Sequence, residues 1–123
     1  MILGDGNHRP HCEALSKRLG HADRVTSKGF VPQEELKACY RERRVVALSS
    51  LWPEPIATIG LEVMRYAVAV VAFHAGWIKD WLVDGHNGFL VPWKDRRGTR
   101  SGWSNCSRTS RWRRHSARRA CGW

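Results

Sequence analysis

The chain has 123 residues, a formal net charge of +10 and a mean hydropathy of −0.47. That length bounds it to one small hydrophobic core, and no apolar run approaches the roughly 18 residues that a membrane span needs. All eleven acids lie within residues 1–95 beside twelve Lys and Arg, whereas residues 96–123 hold nine arginines and no acid. The basic excess is therefore local and does not make the whole chain a nucleic-acid binder.

In chain order, "MILGDG" predicts the end of a strand running into a glycine turn, as at the truncated front of a larger unit. "RPHCEALSKRLG" predicts a helix, with Ala14, Leu15 and Leu19 at helical spacing and Gly20 at the C-cap. "RVTSKGF" reads as a short strand, and "VPQEELKACYRERR" as a helix whose early acids and late bases complement its dipole. "VVALSS" predicts a buried strand, residues 60–66 a helix, "VAVVAF" a second buried strand, "WIKDWLV" a helical turn and "NGFLV" a last strand. Continuous apolar strands alternating with amphipathic helices predict an α/β fold, a Rossmann-like parallel sheet covered on both faces. Ligands of such sheets bind at the carboxyl ends of the strands, which directs attention to the loops "GDG", "SSLWPEP" and "HAGWIKD".

The four cysteines form no CxxC pair and are too sparse for a disulfide scaffold, so they read as free thiols. His8, His11 and Cys12 lack the spacing and the fourth ligand of a metal site. No metal and no cofactor are expected.

Two carboxylates stand out in the apolar stretch "LWPEPIATIGLEVMRY". Pro53 and Pro55 keep Glu54 out of a helix and fix it on a loop at the carboxyl edge of the sheet. Gly60 is read as opening the next helix, leaving amides where a phosphate can sit, with Glu62 in the first turn. Each carboxylate is placed to accept hydrogen bonds from neutral hydroxyls beside a diphosphate, and sugars supply such hydroxyls. The plain alternative is a capping Glu62 and a solvated Glu54.

Residues 96–123 contain no Leu, Ile, Val, Met, Phe or Tyr. Ordering them costs about 1 to 2 kcal/mol each in backbone entropy, against roughly 3 kcal/mol returned by each of three buried tryptophans. This predicts a disordered basic tail. Codons shifted from the frame of "RRGTR" can encode Val-Glu-Ala-Leu-Ala, so out-of-frame translation is one origin for it.

"GDG", "DRVTSKGFVPQEEL", "VVALSSLWPEPIATIGLEVMRY" and "VVAFHAGWIKDWLVDGHNGFLVPWKD" together resemble the C-terminal, donor-binding domain of GT-B glycosyltransferases of family 4. The resemblance covers residues 2–95 and rests on an E-x7-E element and the "DG.NGFLV" ending. It implies transfer of a glycosyl group from a nucleotide-diphosphate sugar, UDP- or GDP-linked, with retention at the anomeric carbon. By the same resemblance Glu54 is the catalytic-site carboxylate near the donor sugar, and Glu62 holds the ribose hydroxyls. Gly60 and Leu61 face the diphosphate, Gly4 and Gly6 line the donor site, and Phe30, Val31 and Pro32 form the loop beside the base. Residues 1–95 are then a partial nucleotide-sugar-binding domain and residues 96–123 a separate tail.

The departures are Trp77 and Lys79 where the family often has glycine and proline, Ala57 and Thr58 in place of its usual loop residues, and no basic grip on the diphosphate. The implied partners are the donor and an absent N-terminal acceptor domain, with a cytoplasmic location and contact at the inner membrane face. An inactive, non-catalytic fragment, or a nucleic-acid binder acting through the basic tail, is the competing reading.

Overall fold

The computed structural model describes residues 1–108. By contacts the chain divides into two compact units, Met1–Cys39 and Tyr40–Trp123, which are described separately.

In the first unit, helix α1 (Arg9–Arg18) has a proline in its first turn and two bases in its last. It stops at Gly20, whose φ of +70° suits the left-handed turn, and the His21 N–H donates to the Ser16 carbonyl at 2.9 Å. The two strands predicted around this helix are reduced to bridges, Ile2 with Ser27 and Gly4 with Gly29. Gly4 and Gly29 both have positive φ, which turns the backbone out of a ladder after one pair. Helix α2 (Gln33–Arg41) follows Pro32, whose carbonyl takes the Glu35 and Leu36 N–H groups, and carries Glu34 and Glu35 in its first turn.

The second unit is built on a parallel sheet in the order β1 (Val45–Leu48), β2 (Ala69–Phe73), β3 (Gly88–Val91). The central strand β2 is buried at every position, which explains its unbroken apolar run. Helix α3 (Thr58–Met64) links β1 to β2, and a 3-10 turn (Gly76–Asp80) follows β2. Asn87 closes the loop into β3: its side-chain oxygen accepts from the Val83 N–H and its amide donates to the Trp81 carbonyl, both at 2.7 Å. Asp84 adds a bond to the Leu90 N–H at 3.0 Å.

Residues 96–108 correct the expectation of disorder. They form helix α4 (Arg96–Arg108), with Gly102 and Cys106 buried. Asp95 caps it, its Oδ1 accepting from the N–H groups of Arg97 at 3.0 Å and Gly98 at 2.9 Å. Gly98, Gly102 and Cys106 repeat every four residues and make one narrow face. A Cβ added at Gly102 would lie 3.1 Å from Phe89 Cβ and 3.2 Å from Val71 Cγ1, so glycine lets the helix axis come close to the sheet. Large apolar side chains are not what orders this segment: α4 is held by close contact with the sheet and by a capped helical ladder. Burial pushes the Cys106 thiol up to about 11. Residues 109–123, the remainder of the predicted tail, lie outside the described residues.

Val71 and its register partners Ala47 and Phe89 share the face under α4, while the next row, Ala72 with Leu48 and Leu90, faces the other way. Leu48 lies against Gly60 of α3. The two helices therefore cover opposite faces, and the expected α/β, Rossmann-like arrangement is present.

Candidate functional site

Parallel strands bring their exit loops to one edge, and at that edge the Glu54 loop is fastened to the turn after β2. The Trp77 N–H donates to the Glu54 carbonyl oxygen at 3.2 Å. Gly76 makes the approach possible: its φ is +58°, and a Cβ there would overlap the backbone of Glu54 at its oxygen, nitrogen and carbonyl carbon. Two of the loops singled out by sequence are thus joined at the backbone. A second fastening was not legible in the sequence. The Trp81 indole N–H donates to the Ile56 carbonyl at 2.7 Å, and its six-membered ring lies on Gly60 so closely that a Cβ would collide with it.

The Glu54 and Glu62 side chains are both half-buried. Among the described residues neither carboxylate has a hydrogen-bond or ion-pair partner. A half-buried carboxylate gives up part of its hydration and regains it only from donors, so both are available to a ligand bearing hydroxyls.

The helix geometry differs in detail from the sequence reading. Helix α3 begins at Thr58, two residues earlier, because Ala57 takes a left-handed conformation (φ 53°, ψ 57°) and turns the chain into the helix. Glu62 accordingly stands in the second turn rather than the first. The Gly60 N–H is already donated to the Ala57 carbonyl at 2.8 Å, and glycine is required there by the Trp81 ring. Leu61 is exposed.

An alanine at left-handed φ is strained by about 1 to 2 kcal/mol. Part of that is offset by the looser unfolded chain that glycine brings. Ala57→Gly is therefore expected to stabilise the protein by about 0.5 kcal/mol, read as a higher urea midpoint at an unchanged m-value.

The remaining predicted residues belong to the first unit. The Gly4 N–H donates to the Gly29 carbonyl at 2.8 Å, which places "GDG" beside the start of the "FVP" loop. The Gly6 carbonyl accepts the Arg9 N–H at 3.0 Å and leads into α1. Phe30 is 83% exposed, Val31 is buried and Pro32 opens α2. Arg9, which the sequence reading passed over, ties this corner together. It contacts Glu13 at 2.9 Å, Asp5 at 3.2 Å and the Ser27 carbonyl at 3.4 Å. The Glu13 hydrogen bond, with Asp5 beside it, raises its pKa further. A Cβ on Gly29 would sit 2.6 Å from its Nη1.

Among the described residues no cluster of His, Cys, Asp and Glu is arranged to hold a metal ion, and no helix is long and apolar enough to cross a membrane. Cys12, Cys39 and Cys106 are free thiols.

A parallel sheet with helices on both faces and a proline-framed carboxylate at its carboxyl edge defines a Rossmann-like α/β protein, and comparison with known proteins gives its family. The chain belongs to the glycosyl transferases group 1 family, which matches residues 1–97. It is 32% identical over 91 residues to an uncharacterised glycosyltransferase of Methanocaldococcus jannaschii, covering 74% of this chain and 23% of that protein. It is 33% identical over 92 residues to the alpha-D-kanosaminyltransferase of Streptomyces kanamyceticus, covering 75% and 24%. Among solved structures, Anabaena HepE in complex with UDP superposes with a TM-score of 0.83 at 25% identity, over 98% of this chain and 34% of that one. The sucrose-phosphate synthase of Thermosynechococcus elongatus shares the fold, with a TM-score of 0.83 at 23% identity, over 96% and 32%. The chain spans about a quarter of the length of these curated relatives.

Proposed function

We propose that this chain supplies the nucleotide-sugar-binding half of a glycosyltransferase that moves a hexosyl group from a UDP- or GDP-linked donor to an acceptor with retention of configuration. The observation that carries the reading is Glu54: half-buried, without a side-chain partner among the described residues, and held at the carboxyl edge by the Trp77 N–H. Family membership and the UDP bound by the Anabaena neighbour support it. In this reading Glu54 accepts hydrogen bonds from the donor sugar, and Glu62 takes the ribose hydroxyls. Gly4, Gly6, Phe30, Val31 and Pro32 are assigned to the nucleotide on the family resemblance alone, and the exposed Phe30 ring offers a stacking face. Amides near the start of α3, at Leu61 among others, are assigned to the diphosphate, whose departure they would stabilise electrostatically. No metal or other cofactor is required. The acceptor belongs to a domain outside this chain, which alone is expected to bind the donor without turnover.

Calorimetry with UDP and UDP-glucose tests the reading. Binding is expected for the native chain, and Glu62→Ala should weaken it about tenfold or more, the worth of one charge-assisted hydrogen bond. Equal affinity in the mutant, or no binding by a folded sample, would overturn it.

One observation favours a second reading, polyanion binding. Helix α4 exposes Arg96, Arg97, Arg100 and Arg108 with no acid among its residues. Replacing these four arginines by glutamine should lower the salt concentration that elutes the chain from heparin if they form such a surface, the five arginines of residues 109–123 keeping the rest, and unchanged elution would dismiss it. Deleting the segment is unsuitable, because α4 covers one face of the sheet.

A further inference from the structure

Each exit loop at the carboxyl edge carries a tryptophan: Trp52 after β1, Trp77 after β2 and Trp93 after β3. They are 77%, 65% and 51% exposed. Single exposed aromatics are ordinary, but three gathered at one edge by strand topology form apolar surface that a ligand would cover with profit to both. Trp93 already has company, since the Lys94 ammonium lies 4.0 Å from its ring centroid. Among the described residues the Trp52 and Trp77 indoles have no ring contact and no hydrogen-bond partner.

Both belong to the loops that are joined at the Glu54 backbone. Trp52 stands two residues before Glu54, and Trp77 is joined to Glu54 through its backbone N–H. A flat aromatic face beside an unpartnered carboxylate suits a molecule with a patch of C–H bonds and a rim of hydroxyls. A pyranose ring is that molecule. Its C–H groups pack on the indole face through dispersion and the negative ring quadrupole, while its hydroxyls donate to the carboxylate. A nucleobase would use the ring and bring few donors to the acid, and an anionic bilayer would repel it.

We infer that Trp52 and Trp77 form a stacking subsite for a pyranose ring beside Glu54, a saccharide contact distinct from the groups that hold the nucleotide. The inference deepens the function proposed above and rests on it for which edge is used.

Saturation-transfer NMR on the whole chain tests it, with methyl α-D-glucopyranoside and UDP as separate probes. Saturation should reach the C–H protons of one pyranose face. It should fall at least threefold in Trp77→Leu and in the Trp52→Leu/Trp77→Leu double variant, and persist in Trp77→Phe, with UDP affinity within twofold of native. UDP binding without pyranose saturation, or equal saturation in the double variant, overturns the subsite and leaves the proposed function standing. Pyranose saturation that follows the tryptophans without UDP binding supports the subsite and removes the proposed function. A fluorescence blue shift with phosphatidylglycerol vesicles and none with the glucoside makes the pair a membrane contact and overturns the inference. Should the leucine variants unfold, 5-fluorotryptophan labelling of the unsubstituted chain decides it. Two fluorine resonances should move with the glucoside, and none moving overturns the proposal.

Discussion

Gly76→Ala is expected to destabilise the protein by about 3 kcal/mol and to lower its affinity for a UDP-sugar about tenfold. Two costs combine. Alanine at φ +58° carries about 1 to 2 kcal/mol of left-handed strain, and its Cβ would occupy the space of the Glu54 carbonyl oxygen. Because the obstructing atoms are backbone, relief requires the Glu54 loop to move, which breaks the Trp77 bond that positions it. Gly85→Ala separates the two contributions. Gly85 has φ +71° with nothing within 4 Å of an added Cβ, so this change should cost only the strain, about 1 kcal/mol, and leave binding intact. Chemical denaturation measures the first effect and calorimetry the second. Similar losses in both variants would mean that the fastening of the two loops has no energetic or functional weight.

Much of this site was legible because its signals are local. Pro53 and Pro55 announce that Glu54 is outside a helix, and the unbroken apolar run of β2 announces burial on both faces. What escaped notice depends on atoms distant in sequence or on shape instead of hydrophobicity. Trp81 supports the loop through a carbonyl 25 positions earlier, a contact that no periodicity reveals. The start of α3 was misplaced because left-handed turns are ordinarily signalled by glycine or asparagine, and here the residue is Ala57. Gly60 read as a phosphate-facing glycine, but its missing side chain is accounted for by an indole. Helix α4 was missed for a related reason. Its sheet-facing positions are glycine and cysteine, which offer little apolar area yet fit where leucine would not. The one local sign was Asp95, a good N-cap directly before it.

Those two accounts of residues 96–108, disordered tail or structural helix, separate on Gly102→Leu. Leaving glycine for leucine in a helix interior returns about 1 kcal/mol of propensity, so in a disordered or detached segment the change is neutral or mildly favourable. Against the sheet it is unfavourable. The first atom of the new side chain would already stand 3.1 Å from Phe89 and 3.2 Å from Val71, and three further carbons have to enter a space that the Cβ alone fills. Overpacking of this kind costs about 1 to 3 kcal/mol where a core yields, and more where the helix is lifted off and Val71 and Phe89 are left facing water. A net loss of about 3 kcal/mol is expected, with amides of β2 losing hydrogen-exchange protection as its cover is displaced. Gly102→Ala should be nearly neutral, its tight contacts offsetting its helix propensity, and Ser101→Leu on the exposed side should cost nothing measurable. A leucine at 102 as harmless as one at 101 would show that the sheet does not depend on α4, and the basic segment would then be free to serve another partner.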